Sequence, residues 1–244
     1  MGKNKLIQIG TSGWHYRHWE GAFYPANIRQ KDFLNYYIQH FHTVEINNSF
    51  YQLPKEKTLK LWYDTAPDNF IFAVKASRYI THMKKLKDPE KTLSKFLNRI
   101  DVLKEKLGPI LFQLPPRWKV NPERLEAFLR ALHGDYDSAF EFRDPTWFTD
   151  EVFHILAEHN AALCIYHFNH RMSPKEVTAN FVYIRLHGPN GPYEGRYGRR
   201  TLSYWAEDII KWKKQKKRIF CYFDNDEAGY APQDAAGLKQ IVEK

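Results

Sequence analysis

The sequence predicts one (β/α)8 barrel of the TIM type that occupies residues 1–244. Its 244 residues match the length of about 250 that this fold commonly needs. Eight short apolar runs alternate with helical patterns along the whole chain, and no Ser/Gly-rich linker divides them. The main rival is a doubly wound open sheet, which usually has fewer strands and a G-x-G-x-x-G first turn. The first turn here, Gly10-Thr11-Ser12-Gly13-Trp14, lacks that spacing.

The elements follow from the apolar periodicity. In chain order, the predicted strands cover residues 6–10, 43–47, 70–75, 110–114, 138–142, 162–166, 181–187 and 218–223. The predicted helices cover residues 31–40, 55–66, 89–106, 122–133, 150–159, 202–215 and 233–242. Asp88-Pro89 and Asn121-Pro122 each offer an N-cap followed by proline in the first turn. Only the sixth connection, residues 169–180, is too short for a long helix.

The composition indicates a soluble protein of the cytoplasm. No apolar run reaches the roughly 18 residues that cross a bilayer, and the first nine residues lack the apolar core of a signal peptide. Cys164 and Cys221 lie in apolar runs at no zinc-motif spacing, so we expect buried free thiols. The formal charge is 37 − 28 = +9. The densest basic run, residues 211–218, is more typical of a solvated helix end than of a nucleic-acid patch.

Polar residues share one face of nearly every predicted strand. Successive side chains of a strand point to opposite sides, so in a barrel one set faces the pore and the other packs under the helices. On six of the strands the apolar residues form one set and the polar residues form the other. The polar set comprises Glu45, Asn47, Lys75, Gln113, Glu141, Arg143, Tyr183, Arg185, His187, Tyr222 and Asp224.

This polar set is the strongest functional signal in the chain. Most barrel pores are filled by branched apolar side chains, and active sites lie at the C-terminal ends of the strands. Buried charges cost several kcal/mol each unless they are paired. Glu45, Glu141 and Asp224 can balance Lys75, Arg143 and Arg185, so two readings stay open. The charges either form a catalytic site at the mouth or pair with one another as a core network that binds no ligand.

Loops at the same end of the predicted barrel add candidate ligand contacts. The first loop exposes hydroxyls, backbone N–H groups and aromatic rings around Ser12, Trp14 and Tyr16. The seventh, residues 188–200, holds four glycines, three arginines and two tyrosines, which suits either a mobile anion-binding lid or a flexible basic loop without a ligand. The predicted catalytic residues are Glu45, Lys75, Glu141, His187 and Asp224. The predicted substrate-binding residues are Ser12, Trp14, Tyr16, Asn47, Gln113, Arg143, Arg185, Tyr197, Tyr222 and Asn225.

The other histidines and three tryptophans have structural interpretations. Trp62, Trp205 and Trp212 fall at helical spacing and are predicted core residues. His15 lies in a mouth loop and is therefore a secondary candidate for the functional site. The histidines treated as structural or solvated are His18, His40, His42, His133, His154, His159, His167 and His170.

Ordered motifs along the chain resemble the domain of unknown function 72, or YecE-like, family. They include Gly10-Thr11-Ser12-Gly13-Trp14, Val44-Glu45-Ile46-Asn47-Asn48-Ser49-Phe50-Tyr51, Phe72-Ala73-Val74-Lys75, Leu111-Phe112-Gln113-Leu114-Pro115-Pro116, Glu141-Phe142-Arg143, Ile184-Arg185-Leu186-His187-Gly188 and Tyr222-Phe223-Asp224-Asn225. The resemblance runs from about residue 7 to 236. It implies a (β/α) barrel and assigns no reaction. Barrels of the xylose-isomerase and endonuclease IV type are similar more distantly, which transfers no residues.

Three functional hypotheses follow. The first is an acid/base enzyme, of hydrolase, lyase or isomerase type, acting on a small anionic or polyhydroxylated substrate such as a phosphate ester or sugar derivative. Lys75, Arg143 and Arg185 would hold anionic groups, Glu45 or Glu141 would flank the substrate as acid or base, and His187 would titrate near neutrality as a proton shuttle.

The second hypothesis is a nucleic-acid-binding or nuclease-like barrel, which the charge of +9 and the loop aromatics favour. The third is a divalent-metal site on Glu45, Glu141, His187 and Asp224, which the three pore cations and the absent ligand spacing disfavour. No cofactor is predicted, no membrane contact is expected, and the oligomeric state is left open.

Overall fold

The computed structural model describes residues 6–132 and 136–243. Residues 1–5, 133–135 and 244 lie outside it, and with them His133. The strands it contains are β1 (Ile7–Thr11), β2 (Thr43–Ile46), β3 (Ile71–Lys75), β4 (Leu107–Gln113), β5 (Ser138–Glu141), β6 (Ala162–Phe168), β7 (Arg171–Met172), β8 (Phe181–Leu186) and β9 (Arg218–Phe223).

Eight of these strands form one parallel sheet that curls into a nearly closed barrel. The sheet order is β1-β9-β8-β6-β5-β4-β3-β2, so each strand lies beside its neighbour in the chain. The two-residue β7 is an antiparallel addition to the end of β6 and takes no part in the barrel. The predicted TIM-type barrel is therefore confirmed, and the short sixth connection contains β7 in place of a helix.

The helices agree with the predicted pattern and differ mainly at their ends. They are α1 (Phe33–Tyr37), α2 (Glu56–Thr65), α3 (Pro89–Ile100), α4 (Pro122–Ala131), α5 (Asp150–Glu158), α6 (Arg199–Lys214) and α7 (Tyr230–Val242).

Some helix boundaries differ because tighter turns take over. A 3-10 turn over Gln30–Asp32 shortens α1 at its start, and another over Asp101–Lys106 ends the predicted third helix early. Asn121 caps α4 as predicted, its side chain accepting a hydrogen bond from the backbone of Arg124 at 2.8 Å. Asp88 makes no side-chain cap, because its backbone is left-handed, with φ 49°.

The strand alternation separates two apolar regions. The outward residues, among them Val44, Phe72 and Phe140, pack under the helices in the main core together with Trp62, Trp205 and Trp212. The inward residues form a second cluster that fills the lower pore, and it includes Ala73, Leu111, Ala139, Cys164, Phe181, Tyr183, Phe220 and Tyr222. Both cysteines are buried and free, as expected. The pore is therefore packed to the level of Tyr183 and Tyr222, and the polar side chains lie above them.

The junction between β1 and β2 closes the barrel differently from the others. Within the described chain, the backbone pairing here is the single bridge of Ser12 with Glu45, where Gly13 N–H donates to Glu45 O at 2.8 Å. Below this bridge, the hydroxyl of Tyr37 forms hydrogen bonds to both strands. It accepts from Thr11 N–H at 3.0 Å and donates to Thr43 O at 3.1 Å. The side-chain hydroxyl thus supplies hydrogen bonds where the two strands form no regular backbone ladder.

The seventh loop is anchored at both ends. Gly188 N–H donates to the hydroxyl of Tyr197 at 3.0 Å, and Tyr197 N–H donates to Asp234 at 2.9 Å. Asn225 donates to Gly195 O at 2.8 Å and so ties the loop to the end of β9. None of the helices described is both long and apolar enough to cross a membrane.

Replacing Gly10 with alanine tests the β1–β2 junction. An added Cβ would lie 2.2 Å from the carbonyl oxygen of Thr43, so one strand must shift. We expect Gly10→Ala to lower the free energy of unfolding by roughly 1–3 kcal/mol, measured by urea denaturation. Gly198→Ala, where the added Cβ meets open space, is the control and should change stability by less than about 0.5 kcal/mol. Equal effects of the two substitutions would contradict the close approach.

Candidate functional site

Charged side chains from five strands meet at the C-terminal mouth of the barrel. Glu45 belongs to β2, Lys75 to β3, Glu141 to β5 and Arg185 to β8, and Asp224 follows β9 directly. All five are buried. They lie together because each continues the inward-facing set of its strand, one level above the pore aromatics. The predicted convergence of the polar set is thus present in the structure.

Arg185 is the centre of this group. Its Nη2 lies 2.8 Å from Glu45 Oε1 and 3.0 Å from Asp224 Oδ2, and its Nη1 lies 2.9 Å from Glu141 Oε2. Nη2 also donates to the hydroxyl of Ser12 at 3.1 Å. The planar fork of a guanidinium can serve several carboxylates at fixed angles, which a lysine could not do. One buried arginine therefore neutralises and orients three carboxylates.

Glu45 and Glu141 each have partners besides Arg185. The hydroxyl of Tyr183 donates to Glu45 Oε2 at 2.6 Å, and the hydroxyl of Ser12 donates to Glu45 Oε1. Arg143 forms an ion pair with Glu141 Oε1. Burial opposes ionisation of Glu141, but Arg143 and Arg185 outweigh it and hold the pKa of that carboxyl well below its usual range. Glu141 is therefore an anion at neutral pH and has no proton to donate.

His187 is held as a neutral ring. Its Nε2 lies 3.2 Å from Arg143 Nη2 and 3.4 Å from Arg185 Nη1. Guanidinium nitrogens only donate, so Nε2 accepts, and the ring proton is assigned to Nδ1, which faces Asp224 Oδ2 at 3.0 Å. Burial first and Arg185 next hold the pKa of His187 well below its usual range. The expectation that His187 titrates near neutrality is therefore wrong.

Lys75 is the exception in this charged layer. Lys75 is buried, with an exposed fraction of 8%. Among the described residues its ammonium has no hydrogen-bond or ion-pair partner, and it lies over the ring of Phe50, 4.4 Å from the centroid. Burial first and Arg185 next lower the pKa of Lys75 to about 8. A cation without a protein partner therefore lies beside a cluster whose other members are paired.

A cleft opens from the mouth on the side of β4, β5 and β6. Its volume is about 830 Å³, and Gln113, Arg143, Tyr166, Phe168 and Tyr193 line it. The guanidinium of Arg143 lies 4.0 Å above the ring of Phe168 and 4.9 Å above that of Tyr166. Its buried Nε has no hydrogen-bond partner among the described groups. This cleft has the size, the apolar walls and the few polar donors that small-molecule sites share.

The structure offers no metal site in the part of the chain that it describes. No group of three His, Cys, Asp or Glu side chains there is arranged to hold an ion. Glu45, Glu141 and Asp224 all contact the guanidinium of Arg185, which uses the oxygens that a metal would need. His187 points its acceptor nitrogen at two arginines.

A family model described as "Protein of unknown function DUF72" matches residues 8–244, nearly the whole chain. The chain belongs to the DUF72 family. The UPF0759 protein YunF of Bacillus subtilis is 25% identical to it over 98% of this chain and 95% of YunF. The UPF0759 protein YecE of Escherichia coli K12 is 30% identical over 59% of this chain and 50% of YecE.

Crystal structures of DUF72 proteins share its architecture. The protein from Thermotoga maritima superposes with a TM-score of 0.88 at 26% identity, and the match covers 98% of this chain and 99% of that one. The protein from Enterococcus faecalis gives a TM-score of 0.83 at 19% identity, covering 98% and 96% of the two chains, a likeness that shows the fold alone. The fold of this chain is therefore shared with these two DUF72 proteins.

Several predicted roles in this DUF72 protein need correction. The prediction that Glu45 and Glu141 flank a substrate is not met, because the side chain of Arg185 lies between them. Arg185 itself was expected to bind a substrate anion. It is buried and already surrounded by three carboxylates, so it has no free donor to offer. To this extent the core-network reading of the charges is correct.

Four predicted substrate contacts have packing or anchoring roles. Trp14 packs against Trp62, with ring centroids 4.8 Å apart, and also lines a pocket between the first two loops. Tyr197 and Asn225 are buried and anchor the seventh loop, while Tyr222 lies below the charged layer and bonds Thr43 at 2.7 Å.

The remaining predicted contacts lie in three places. Tyr16 and Asn47 line a separate pocket of about 330 Å³ between the first two loops. Gln113 and Arg143 line the larger cleft. Ser12 is buried against Glu45.

The sequence reasoning missed the aromatic wall of the cleft and one acid. Tyr166 and Phe168 share the inward face of β6 with Cys164, so the same alternation could have found them. Tyr193 lies in a loop without periodicity. Asp226 follows Asp224 by two residues, and burial first and Asp224 next raise its pKa to about 6.

Removing the central arginine should strongly destabilise the fold. Arg185→Leu leaves three buried carboxylates without their shared cation, so we expect a loss of about 3–5 kcal/mol in the free energy of unfolding, or failure to fold. Arg130→Leu, which breaks an exposed pair with Glu126, is the control and should cost less than about 0.5 kcal/mol. Urea denaturation at pH 7 measures both. A cost for Arg185→Leu below about 1 kcal/mol would refute the central role of this arginine.

The lowered pKa of Lys75 should appear in the pH dependence of stability. Between pH 8 and 10.5 the unfolded chain still protonates this lysine while the folded chain does not. The unfolded state then binds more protons, so the Lys75 contribution to stability rises with pH, by at most about 3 kcal/mol. We expect the stability of the wild type minus that of Lys75→Met to increase over this window in urea titrations. A constant difference would show that the pKa of Lys75 is not lowered.

Proposed function

We propose that this protein is an enzyme that binds a small anionic substrate at the barrel mouth and performs acid/base chemistry on it. The observation that carries the proposal is a row of donors on three neighbouring strands. Lys75 ends β3, Gln113 ends β4 and Arg143 lies two residues beyond β5. Within the described chain, the side chains of Lys75 and Gln113 have no hydrogen-bond partner, and Arg143 Nε has none either.

A buried donor without a partner indicates a missing acceptor, and Arg143 Nε is such a donor among the described residues. In folded proteins the large majority of buried polar groups have a hydrogen-bond partner, so exceptions call for an explanation such as a ligand. Both charged members of the row are cations, so the acceptor that suits them is an anion. Carboxylate and phosphate oxygens meet that requirement and can bind an arginine and a lysine together.

The ion-paired cluster around Arg185 supports the row without taking part in binding. Two of its buried atoms, Glu141 Oε1 and His187 Nδ1, have no hydrogen-bond partner among the described groups. The cluster places anions next to Lys75 and Arg143. Their attraction offsets part of the free-energy cost of burying these two cations in the barrel. The hydrogen bonds of the cluster also hold Glu141 and therefore Arg143 in position. Fixed first-contact residues with a supporting layer behind them are a common arrangement in binding sites.

Proton transfer falls to groups whose pKa lies near neutrality. Glu141 stays ionised and His187 stays neutral, so neither changes charge in the physiological range. The pKa of Lys75 is lowered to about 8, and that of Asp226 is raised to about 6. A general acid or base works best when its pKa is near the working pH. Lys75, which lies in the charged layer, is thus the candidate for the acid/base group, whereas Asp226 contacts His18 and does not line the cleft.

Ligand-dependent thermal stability tests the proposal. The wild type is heated with inorganic phosphate, glucose 6-phosphate or pyruvate, and with glucose and a short DNA duplex as controls. A ligand at 100 times its Kd stabilises the fold by about 2.7 kcal/mol, which is roughly a 5–10 °C rise in Tm for a chain of this size. We expect at least one anion to produce such a rise and glucose to produce none.

Variants locate the binding site. Lys75→Met and Arg143→Met should each abolish the anion-dependent rise, whereas Lys95→Met, at an exposed position of α3, should keep it. A rise that survives both site variants, or no rise with any anion, would overturn the proposal. A rise produced by the DNA duplex alone, and lost steeply with added salt, would favour the nucleic-acid hypothesis instead.

A further inference from the structure

We propose that Lys75 is a nucleophile that forms an imine with a carbonyl group of the substrate, so that the substrate class is an oxo acid or an oxo phosphate ester. This inference rests on the proposed function, because it assigns the chemistry of the same site. It starts from a difference between the three cations of the mouth. Arg185 and Arg143 are fixed by carboxylates, whereas the amine of Lys75 is bound by none in the described chain.

The surroundings of Lys75 are those that activate a lysine for attack on a carbonyl. A lysine amine reacts only in its neutral form, and burial or a neighbouring cation favours that form. Lys75 has both, because it is 8% exposed and Arg185 lies in the same charged layer. Ser49 donates to the carbonyl oxygen of Lys75 at 2.6 Å, and the ring of Phe50 lies under the ammonium. The backbone and the end of the side chain are therefore both held.

Opposing groups act on the charge of Lys75. Burial and Arg185 disfavour a cation at Nζ and lower the pKa of Lys75, while Glu141, Asp224 and Glu45 act in the other direction. Burial also raises the pKa of Asp224. The balance favours the neutral amine that attacks a carbonyl, and the carboxyl groups nearby limit the cost of the positive charge on a protonated imine.

The neighbouring strands supply the groups that would anchor the rest of the substrate. Gln113 and Arg143 line the cleft of about 830 Å³, and Lys75, which does not line it, ends the neighbouring strand β3. A carboxylate or phosphate on Arg143 would hold the substrate while its carbonyl carbon faces the amine. Anchoring by one group and reaction at another is how binding energy is used to orient a reacting centre.

The step balances without any further reagent. The lone pair of the neutral Lys75 amine attacks the carbonyl carbon, and a C–N bond forms as the carbonyl π electrons move to oxygen. The carbinolamine then loses its oxygen as water, which carries away both amine protons and leaves a neutral C=N bond. A proton from solvent converts this imine to the iminium. Hydrolysis reverses the sequence and releases the product.

Reductive trapping in the full chain tests this step. The wild type is incubated with glyoxylate and sodium cyanoborohydride, which reduces an imine to a stable secondary amine. After digestion with a protease that cuts at acidic residues, mass spectrometry compares labelling of Lys75 with labelling of Lys95, an exposed lysine of α3. We expect Lys75 to be labelled at least tenfold faster. Propionaldehyde, which lacks an anionic group, should remove most of this preference, and Arg143→Met should reduce it.

The outcomes separate the inference from the proposed function. Labelling of Lys75 no faster than that of Lys95 overturns the imine, even if anions raise the Tm of the wild type and not of Lys75→Met. In that case Lys75 binds the anion through its charge and forms no covalent bond to the ligand. Absence of any anion-dependent rise in Tm overturns the proposed function itself. Lys75→Arg, which keeps the cation and cannot form an imine, should keep anion-dependent stabilisation and show no trapping at position 75.

Discussion

The four-way contact between the guanidinium of Arg185, Glu45, Glu141 and Asp224 organises the whole mouth of the barrel. These groups come from strands on different sides of the pore, so their contacts connect the barrel across its centre. Each charge alone would cost several kcal/mol to bury, and only mutual pairing and hydrogen bonding offset that cost. The cluster is therefore a structural unit whose members depend on one another.

This unit separates two kinds of chemistry within one pore. Below it, Tyr183, Tyr222 and Phe220 fill the barrel as an apolar layer. The hydroxyl of Tyr183 forms a hydrogen bond with Glu45, and that of Tyr222 forms one with Thr43. Beside the cluster, Lys75 and Arg143 keep donors that it does not use. The mouth thus combines an ion-paired support with cations that keep unused donors, and a ligand that accepts hydrogen bonds from those donors would bind there.

Strand alternation allowed much of this arrangement to be predicted. Eight apolar runs separated by helical patterns indicated the barrel, and the shared parity of Glu45, Lys75, Glu141 and Arg185 indicated one inward-facing set. The prediction was wrong where it assigned partners. Arg185 was expected to bind substrate and is surrounded by carboxylates. Tyr197 and Asn225 were expected at the ligand and instead tie down a loop.

The sequence by itself determined which side chains enter the pore and at which end they gather. That information is local, because the period of two along a strand and the burial of apolar residues under helices act within each element. Only the tertiary structure decided which of them pair. Pairing depends on the stagger between strands far apart in the chain and on the reach of long side chains such as Arg185. The same long-range geometry left Lys75 without a partner among the described residues.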